Sequence, residues 1–294
     1  MHEPTGDFAQ TIIHLLALAD RLEGHGQYNN AKLARASADS LARRAAYELN
    51  LPSDPDDLIS DLRHMVAALP AFGLGEDLAR AAGRGADAMA DGRLPLIDET
   101  PTPFVCRTCG ALAMEQPALP CATCGAWPAT FQRFQPVYWL DDLRPKEALA
   151  LLGSTPEIVA GMLAGLSEEH MARPAPDGGW SIRQVVSHMR DAEGVLRARL
   201  QLMVERDDPI LESLAVFAWA ADEENRPPAT AEIFQTYWAS RRESVDLLES
   251  LPGMNWYRAG HHKEFGRVTI LQQASYFALH EQTHLAALGT LVNG

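Results

Sequence analysis

The sequence of 294 residues predicts an all-α protein: a C-terminal four-helix bundle, a small four-cysteine metal ribbon before it, and an N-terminal helical module. Three observations carry this reading. Apolar residues recur close to a 3.6-residue period through most of the chain. Helix-start signals, Ser181 with Gln184 and Thr269 with Gln272, punctuate the second half. Two Cys-x2-Cys pairs interrupt the helical pattern, following a Pro-containing linker. The divisions fall at 1–95, 103–140 and 141–294.

In the N-terminal module, Asp7 can cap a helix whose apolar positions include Ile12, Ile13, Leu16, Leu18 and Leu22, ended by Gly24 and Gly26. A second helix is predicted from about Tyr28 to Leu49, stopped by Pro52. Asp54-Pro55 opens a third, since proline suits the first helical turn. A fourth covers about 76–91 and is interrupted by Gly83 and Gly85. The stretch 92–103 reads as a linker. The helical pattern returns at Asp141. Ser154-Thr155-Pro156-Glu157 predicts a helix start, with the helix ending near Leu166. Ser181 opens a helix to about Glu205, with Trp180 placed to staple onto Val185. Residues 207–227 read as a loop with a short helical piece at 211–221; a helix follows over 229–250, and Thr269 opens the last.

Charge narrows the partners. The net charge is −14, with −7 on residues 1–100, +1 on 101–140 and −8 on 141–294. Both large blocks would repel a phosphate backbone, so nucleic acid is not an expected partner. No apolar run reaches the roughly 18–20 residues of a membrane span, and the first residues lack a signal-peptide pattern. A cytoplasmic protein is expected, and in that compartment clustered cysteines suggest metal ligation rather than disulfides.

Cys106-x2-Cys109 and Cys121-x2-Cys124 are separated by eleven residues, and each pair is followed by a glycine, Gly110 and Gly125. Two cysteines at i and i+3 on a tight turn reach one ion from the same side, and glycine lets the turn adopt positive φ. Two such knuckles supply four thiolates in tetrahedral array. The segment FVCRTCGALAMEQPALPCATCGAWPATF resembles the rubredoxin-like domain of rubrerythrins, trailing Pro128 and Phe131 included. That resemblance implies iron and electron transfer, whereas many similar ribbons hold structural zinc; four thiolates fit either. The preceding helices lack the Glu-x-x-His motifs of a di-iron bundle: Thr11 and Asp61 stand three residues before His14 and His64. Structural zinc is the favoured reading.

His280-Glu281-Gln282-Thr283-His284 places two imidazoles one turn apart on one helix face, where both can reach one ion. A zincin protease would take a third ligand downstream and use Glu281 as general base. Here LAALGTLVNG follows, without a further His, Asp, Glu or Cys, so the third ligand comes from upstream. His188, beside Val185 and Ala192, supplies it. Three imidazoles facing a bundle interior leave a coordination position for water or substrate.

GGWSIRQVVSHMRDAE (178–193) and EFGRVTILQQASYFALHEQTHLAAL (264–288) together resemble the DinB/YfiT-like superfamily of metal-dependent enzymes over about residues 143–292. The resemblance implies a four-helix bundle with His188, His280 and His284 as ligands of one divalent ion: zinc, nickel, manganese or iron. It also implies a small-molecule substrate, with low-molecular-weight thiols used by some members. One departure is Glu281, where the family more often shows Asp. As side-chain types, Glu281, Glu193 and Arg190 read as helix-surface charges, His261 and His262 as a solvated loop pair, and Trp180 as a core anchor. The expected function is a metal-dependent hydrolase or thiol-dependent transferase, with Glu281 as candidate catalytic residue. The alternative is a non-catalytic metal- or redox-responsive interaction protein. A homodimer formed through the N-terminal helices is compatible with either.

Overall fold

In the computed structural model, residues 8–49, 54–117, 120–126, 131–136, 143–176, 178–214 and 229–293 are described. Asp7, Pro52, Pro128, Asp141 and most of the helical piece expected at 211–221 lie outside them. The chain divides into two compact units, Met1–Phe134 and Gln135–Gly294. No described helix is long and apolar enough to cross a membrane.

The first unit opens with α1 (Phe8–Gly24) and α2 (Tyr28–Leu49), packed as a hairpin. Gly26 turns the chain at φ 71°, a conformation costly for any residue with a Cβ. The hairpin interface is made of small side chains, Ala19, Ala31 and Ala34, and is closed by an ion pair from Arg35 to Glu23 at 2.9 Å. α3 (Pro55–Ala68) starts where Asp54 accepts the Asp56 amide at 3.0 Å. It packs on α4 (Glu76–Ala90). Gly83 and Gly85 do not interrupt α4. Gly85 is buried, with Thr100 Cγ2 and Leu62 Cδ2 at 3.5 and 3.9 Å from where a Cβ would stand, so it permits close packing. The ribbon follows as three short antiparallel strands, β1 (Phe104–Cys106), β2 (Leu112–Ala113) and β3 (Phe131–Arg133), in the order β2-β1-β3.

The second unit is built on α5 (Pro145–Leu163), α7 (Ile182–Glu205), α8 (Thr230–Glu249) and α9 (Ile270–Asn293). Short α6 (Glu168–Ala172) sits between the first two. α7 packs on α8 and α9, and α5 packs on α8 and α9, which closes a four-helix bundle. Both capping boxes are present: Ser181 Oγ accepts the Gln184 amide at 3.2 Å, and Thr269 Oγ1 accepts the Gln272 amide at 3.1 Å. Each glutamine reaches back to the cap amide, at 2.8 and 2.9 Å.

In this second unit two elements differ from expectation. Residues 154–157 lie inside α5 rather than opening a helix. Thr155 Oγ1 bonds the Leu151 carbonyl at 2.8 Å, and Pro156 cannot donate to the Leu152 carbonyl one turn back. A small sheet was also not anticipated: β4 (Ile210–Leu211) pairs in parallel with β5 (Ala259–His262), which pairs antiparallel with β6 (Gly266–Thr269).

The core of this unit is layered. One apolar cluster contains Leu152, Leu196, Leu248 and Ala278; the other contains Val159, Met189, Tyr237 and Leu285. Between the two, each long helix contributes to a polar layer centred on Arg241.

Candidate metal centre

The Arg241 layer sets the register of the helices that carry the histidines. Arg241 is 1% exposed and reaches all four long helices. From α8 it donates to Glu193 of α7 at 2.7 Å, to both carboxylate oxygens of Glu281 of α9 at 2.7 and 2.6 Å, and to the Leu152 carbonyl of α5 at 3.2 Å. That carbonyl is the one Pro156 leaves without its usual helical donor, so the proline inside α5 and the buried arginine satisfy one requirement together. Ser244 Oγ donates to Glu193, and Tyr237 Oη donates to Glu281 at 3.0 Å. Burial works against the guanidinium charge, but Glu281 and Glu193 hold its pKa well above the usual value. Burial pushes the Glu193 carboxyl up, against Arg241 and Ser244.

Two charges read from the sequence as surface groups are therefore core groups. Glu193 is 0% and Glu281 2% exposed, because each finds a cation from another helix. A carboxylate clamped by two guanidinium bonds and a phenol is poorly arranged to take a proton from water. Arg190 is half-buried beside Asp191 at 2.8 Å.

His280 and His284 leave α9 on either side of Glu281, and His188 faces them from α7. Their ring nitrogens group within 4.8 Å of one another. Nε2 of His280 and Nε2 of His284 are 3.1 Å apart. Two nitrogens each about 2.0–2.1 Å from one ion stand roughly 3.0–3.4 Å apart, so this separation fits shared ligation. The ring centroid of His188 is 5.3 Å from that of His280 and 4.8 Å from that of His284. Burial, reinforced by the neighbouring imidazoles, lowers His280 to about 4 and His284 to about 3. Both rings are neutral at pH 7, the state a metal ligand requires. Nδ1 of His280 is buried without a hydrogen-bond partner among the described residues. Aromatic rings flank the group: Trp180 lies 5.1 Å from His188, and Tyr276 stacks on His280 at 5.5 Å. Trp180 is also packed against the apolar core.

The cysteine group forms from two matching turns. The Gly110 amide bonds the Cys106 carbonyl at 2.9 Å, and the Gly125 amide bonds the Cys121 carbonyl at 2.8 Å. Both glycines have positive φ, 76° and 75°. Cys106 Sγ lies 3.7 Å from Cys124 Sγ, and Cys109 Sγ lies 3.9 Å from Cys121 Sγ. Four sulfurs each about 2.3 Å from one tetrahedral ion stand roughly 3.8 Å apart. Burial pushes the Cys106 thiol up, but the amides of Cys109 and Thr108 outweigh it and bring the group down to about 6. The amides of Cys124 and Thr123 lower Cys121 in the same way.

Sequence reasoning did not reach Arg241. The available signal was the stripe Tyr237, Arg241, Ser244 and Leu248, at helical spacing and bounded by large apolar side chains. His262, read as solvated, is 2% exposed because it sits in β5 and stacks on Phe265 at 4.7 Å.

Residues 151–288 match the DinB superfamily, and the C-terminal part of the chain carries a DinB superfamily domain. Named relatives agree with that placement. A protein of Oceanobacillus iheyensis named "Putative metal-dependent hydrolase" is 25% identical over 136 residues, which cover 46% of this chain and 78% of the relative. A Bacillus licheniformis protein of the same name is 28% identical over 157 residues, covering 50% of this chain and 80% of the relative. Among solved structures, YfiT from Bacillus subtilis, described as "a probable metal-dependent hydrolase with an unusual four-helix bundle topology", superposes with a TM-score of 0.47. It has 19% identity, over 54% of this chain and 91% of that one.

Proposed function

We propose that the C-terminal domain is a metal-dependent hydrolase whose single divalent ion is held by His188, His280 and His284, and that Cys106, Cys109, Cys121 and Cys124 hold a structural zinc. The observation that carries the first part is the convergence of three ring nitrogens within 4.8 Å, two of them on rings held neutral by burial. Neutral imidazoles suit zinc, nickel or iron, and leave the charge of the ion uncompensated. Bound there, such an ion would supply Lewis acidity and would lower the pKa of water at the site.

The protein's own residues position and shield. Trp180 and Tyr276 cover two of the imidazoles and limit water at the ring faces. Arg241, through Glu281, fixes the turn of α9 from which His280 and His284 project. Glu281 is spent in that role, which removes the base a zincin-like protease would need. The four-thiolate ribbon has strands of two or three residues, too short to persist alone, so its metal serves folding.

The test is metal content per chain by plasma mass spectrometry, on the intact protein and on His284→Ala, beside hydrolysis of a panel of small amides and esters. Two equivalents are expected in the intact chain and one in His284→Ala, with loss of turnover. Full metal content in the variant would overturn the ligand assignment. Turnover requiring an added low-molecular-weight thiol would move the reading to a transferase. Two equivalents with no turnover would favour a non-catalytic responder, and iron as one of them would favour electron transfer at the ribbon.

A further inference from the structure

The faces of α7 and α9 that carry the histidines continue into a second polar group that the proposed reaction does not use. On α7, His188, Ala192, Val195 and Arg199 follow one another at helical spacing. On α9, Gln273 lies seven residues before His280, two turns or about 10 Å along the axis. Arg199 Nη1 donates to Gln273 Oε1 at 3.2 Å, and Nη2 donates to the Glu212 carbonyl at 2.6 Å. Both acceptors are neutral. Among the described residues no carboxylate lies within 4 Å of the Arg199 guanidinium. Glu264 acts on it electrostatically without a direct ion pair, and one of its oxygens accepts from Ser213 Oγ at 2.7 Å.

Two more donors belong to this group. Gln273 is 0% exposed, and its Nε2 has no partner among the described residues. His262 accepts the amides of Glu264 and Phe265 on Nδ1, at 3.1 and 3.3 Å, which fixes its neutral tautomer with a hydrogen on Nε2. Burial, with Arg199 acting in the same direction, lowers this ring to about 4. Tyr276 lies by both sites: it stacks on His280 and is a near neighbour of Arg199.

A half-buried guanidinium with five N–H donors and only neutral acceptors, beside a buried amide with an unused donor, is costly to keep without an anion. We infer that Arg199, Gln273 and His262 form a binding site for an oxyanion, a carboxylate or a phosphate, and that the molecule turned over at the three-histidine centre is held there by its anionic end. The second half of this statement rests on the hydrolase reading; the first does not. The substrate class is then a small acid whose charged group lies about two helical turns from the bond that reacts.

The experiment is calorimetric titration of the full-length, metal-replete protein with inorganic phosphate and, separately, with succinate at low ionic strength. Arg199→Gln, Arg199→Lys, Gln273→Met and His284→Ala are titrated in parallel, each checked for folding by circular dichroism. At least one titrant binds at one site per chain in the intact protein and equally in His284→Ala. Arg199→Gln weakens it about 10- to 100-fold, as expected for charged hydrogen bonds, and Arg199→Lys restores part of the loss. Phosphate alone binding assigns a phosphorylated substrate; succinate alone assigns a carboxylic acid. Unchanged affinity in Arg199→Gln overturns the inference, as does the absence of binding by both titrants. Binding lost in His284→Ala but kept in Arg199→Gln would place the anion on the metal and equally overturn it. Should Arg199→Gln fail to fold, Gln273→Met decides, since it keeps the volume and removes the donor. Failure of the metal reading shows in metal equivalents and leaves these titrations interpretable.

Discussion

Replacing Arg241 by methionine removes the cation that reaches all four long helices. The substitution keeps an unbranched side chain of similar length but leaves Glu193 and Glu281, at 0% and 2% exposure, facing each other without a counter-charge. It also strips the Leu152 carbonyl of the donor that replaced the missing Pro156 amide. Breaking a buried ion pair by removing one partner costs about 3–5 kcal/mol. In a unit of this size each kcal/mol lowers the melting temperature by roughly 2–4 °C, so a fall of roughly 6–20 °C is expected. The assay is thermal denaturation of the full chain followed by calorimetry, assigning the transition that moves. The triple variant Arg241→Met, Glu193→Met, Glu281→Met recovers most of the loss, because the penalty is for uncompensated charge and not for absent ionic bonds. Melting of the single variant within about 2 °C of the parent would refute the reasoning, as would a triple variant less stable than the single one.

Two further outcomes are expected. His280 and His284 are lowered to about 4 and about 3 in the fold, against about 6.5 when unfolded, so the unfolded chain takes up more protons between those values. Stability of the metal-stripped bundle therefore falls as pH drops from about 6.5 towards 3; denaturant titrations at each pH check this, and a flat profile would contradict it. Gly260→Ala places a Cβ 2.9 Å from both the Pro209 carbonyl oxygen and Leu211 Cγ. The β4–β5 contact must then open, at about 1–3 kcal/mol, and a variant as stable as the parent by denaturant midpoint would show that the strands have room to spare.

Much of the bundle was legible because its signals are local. Ser181 with Gln184 and Thr269 with Gln272 mark helix starts in four residues, and the structure uses both boxes as written. The histidine spacing was legible for the same reason, since i and i+4 share a helix face. The Ser154-Thr155-Pro156-Glu157 tetrad misled because a start signal and a tolerated interior proline look alike locally. What tells them apart is Arg241, 85 positions later, supplying the carbonyl's partner. Glu193 and Glu281 were read as surface charges on the same ground: their cation lies on another helix and leaves no trace in the neighbouring residues. The β5–β6 hairpin was missed because its strands are four residues each and AGHH carries no alternating apolar pattern.

His188 stands near the start of the second long helix, and its two partners stand 92 and 96 positions later on the last. No partial chain can bring them together, and closing so long a segment is repaid only when α7 and α9 dock. On the proposed ligand assignment, metal capture at the histidines is thus an end-of-folding event and reports on completed topology. A nascent chain stalled before α9 keeps its four cysteines and offers the ion a single imidazole, whereas a fold in which α9 has slipped by one turn moves the His280–His284 pair away from His188.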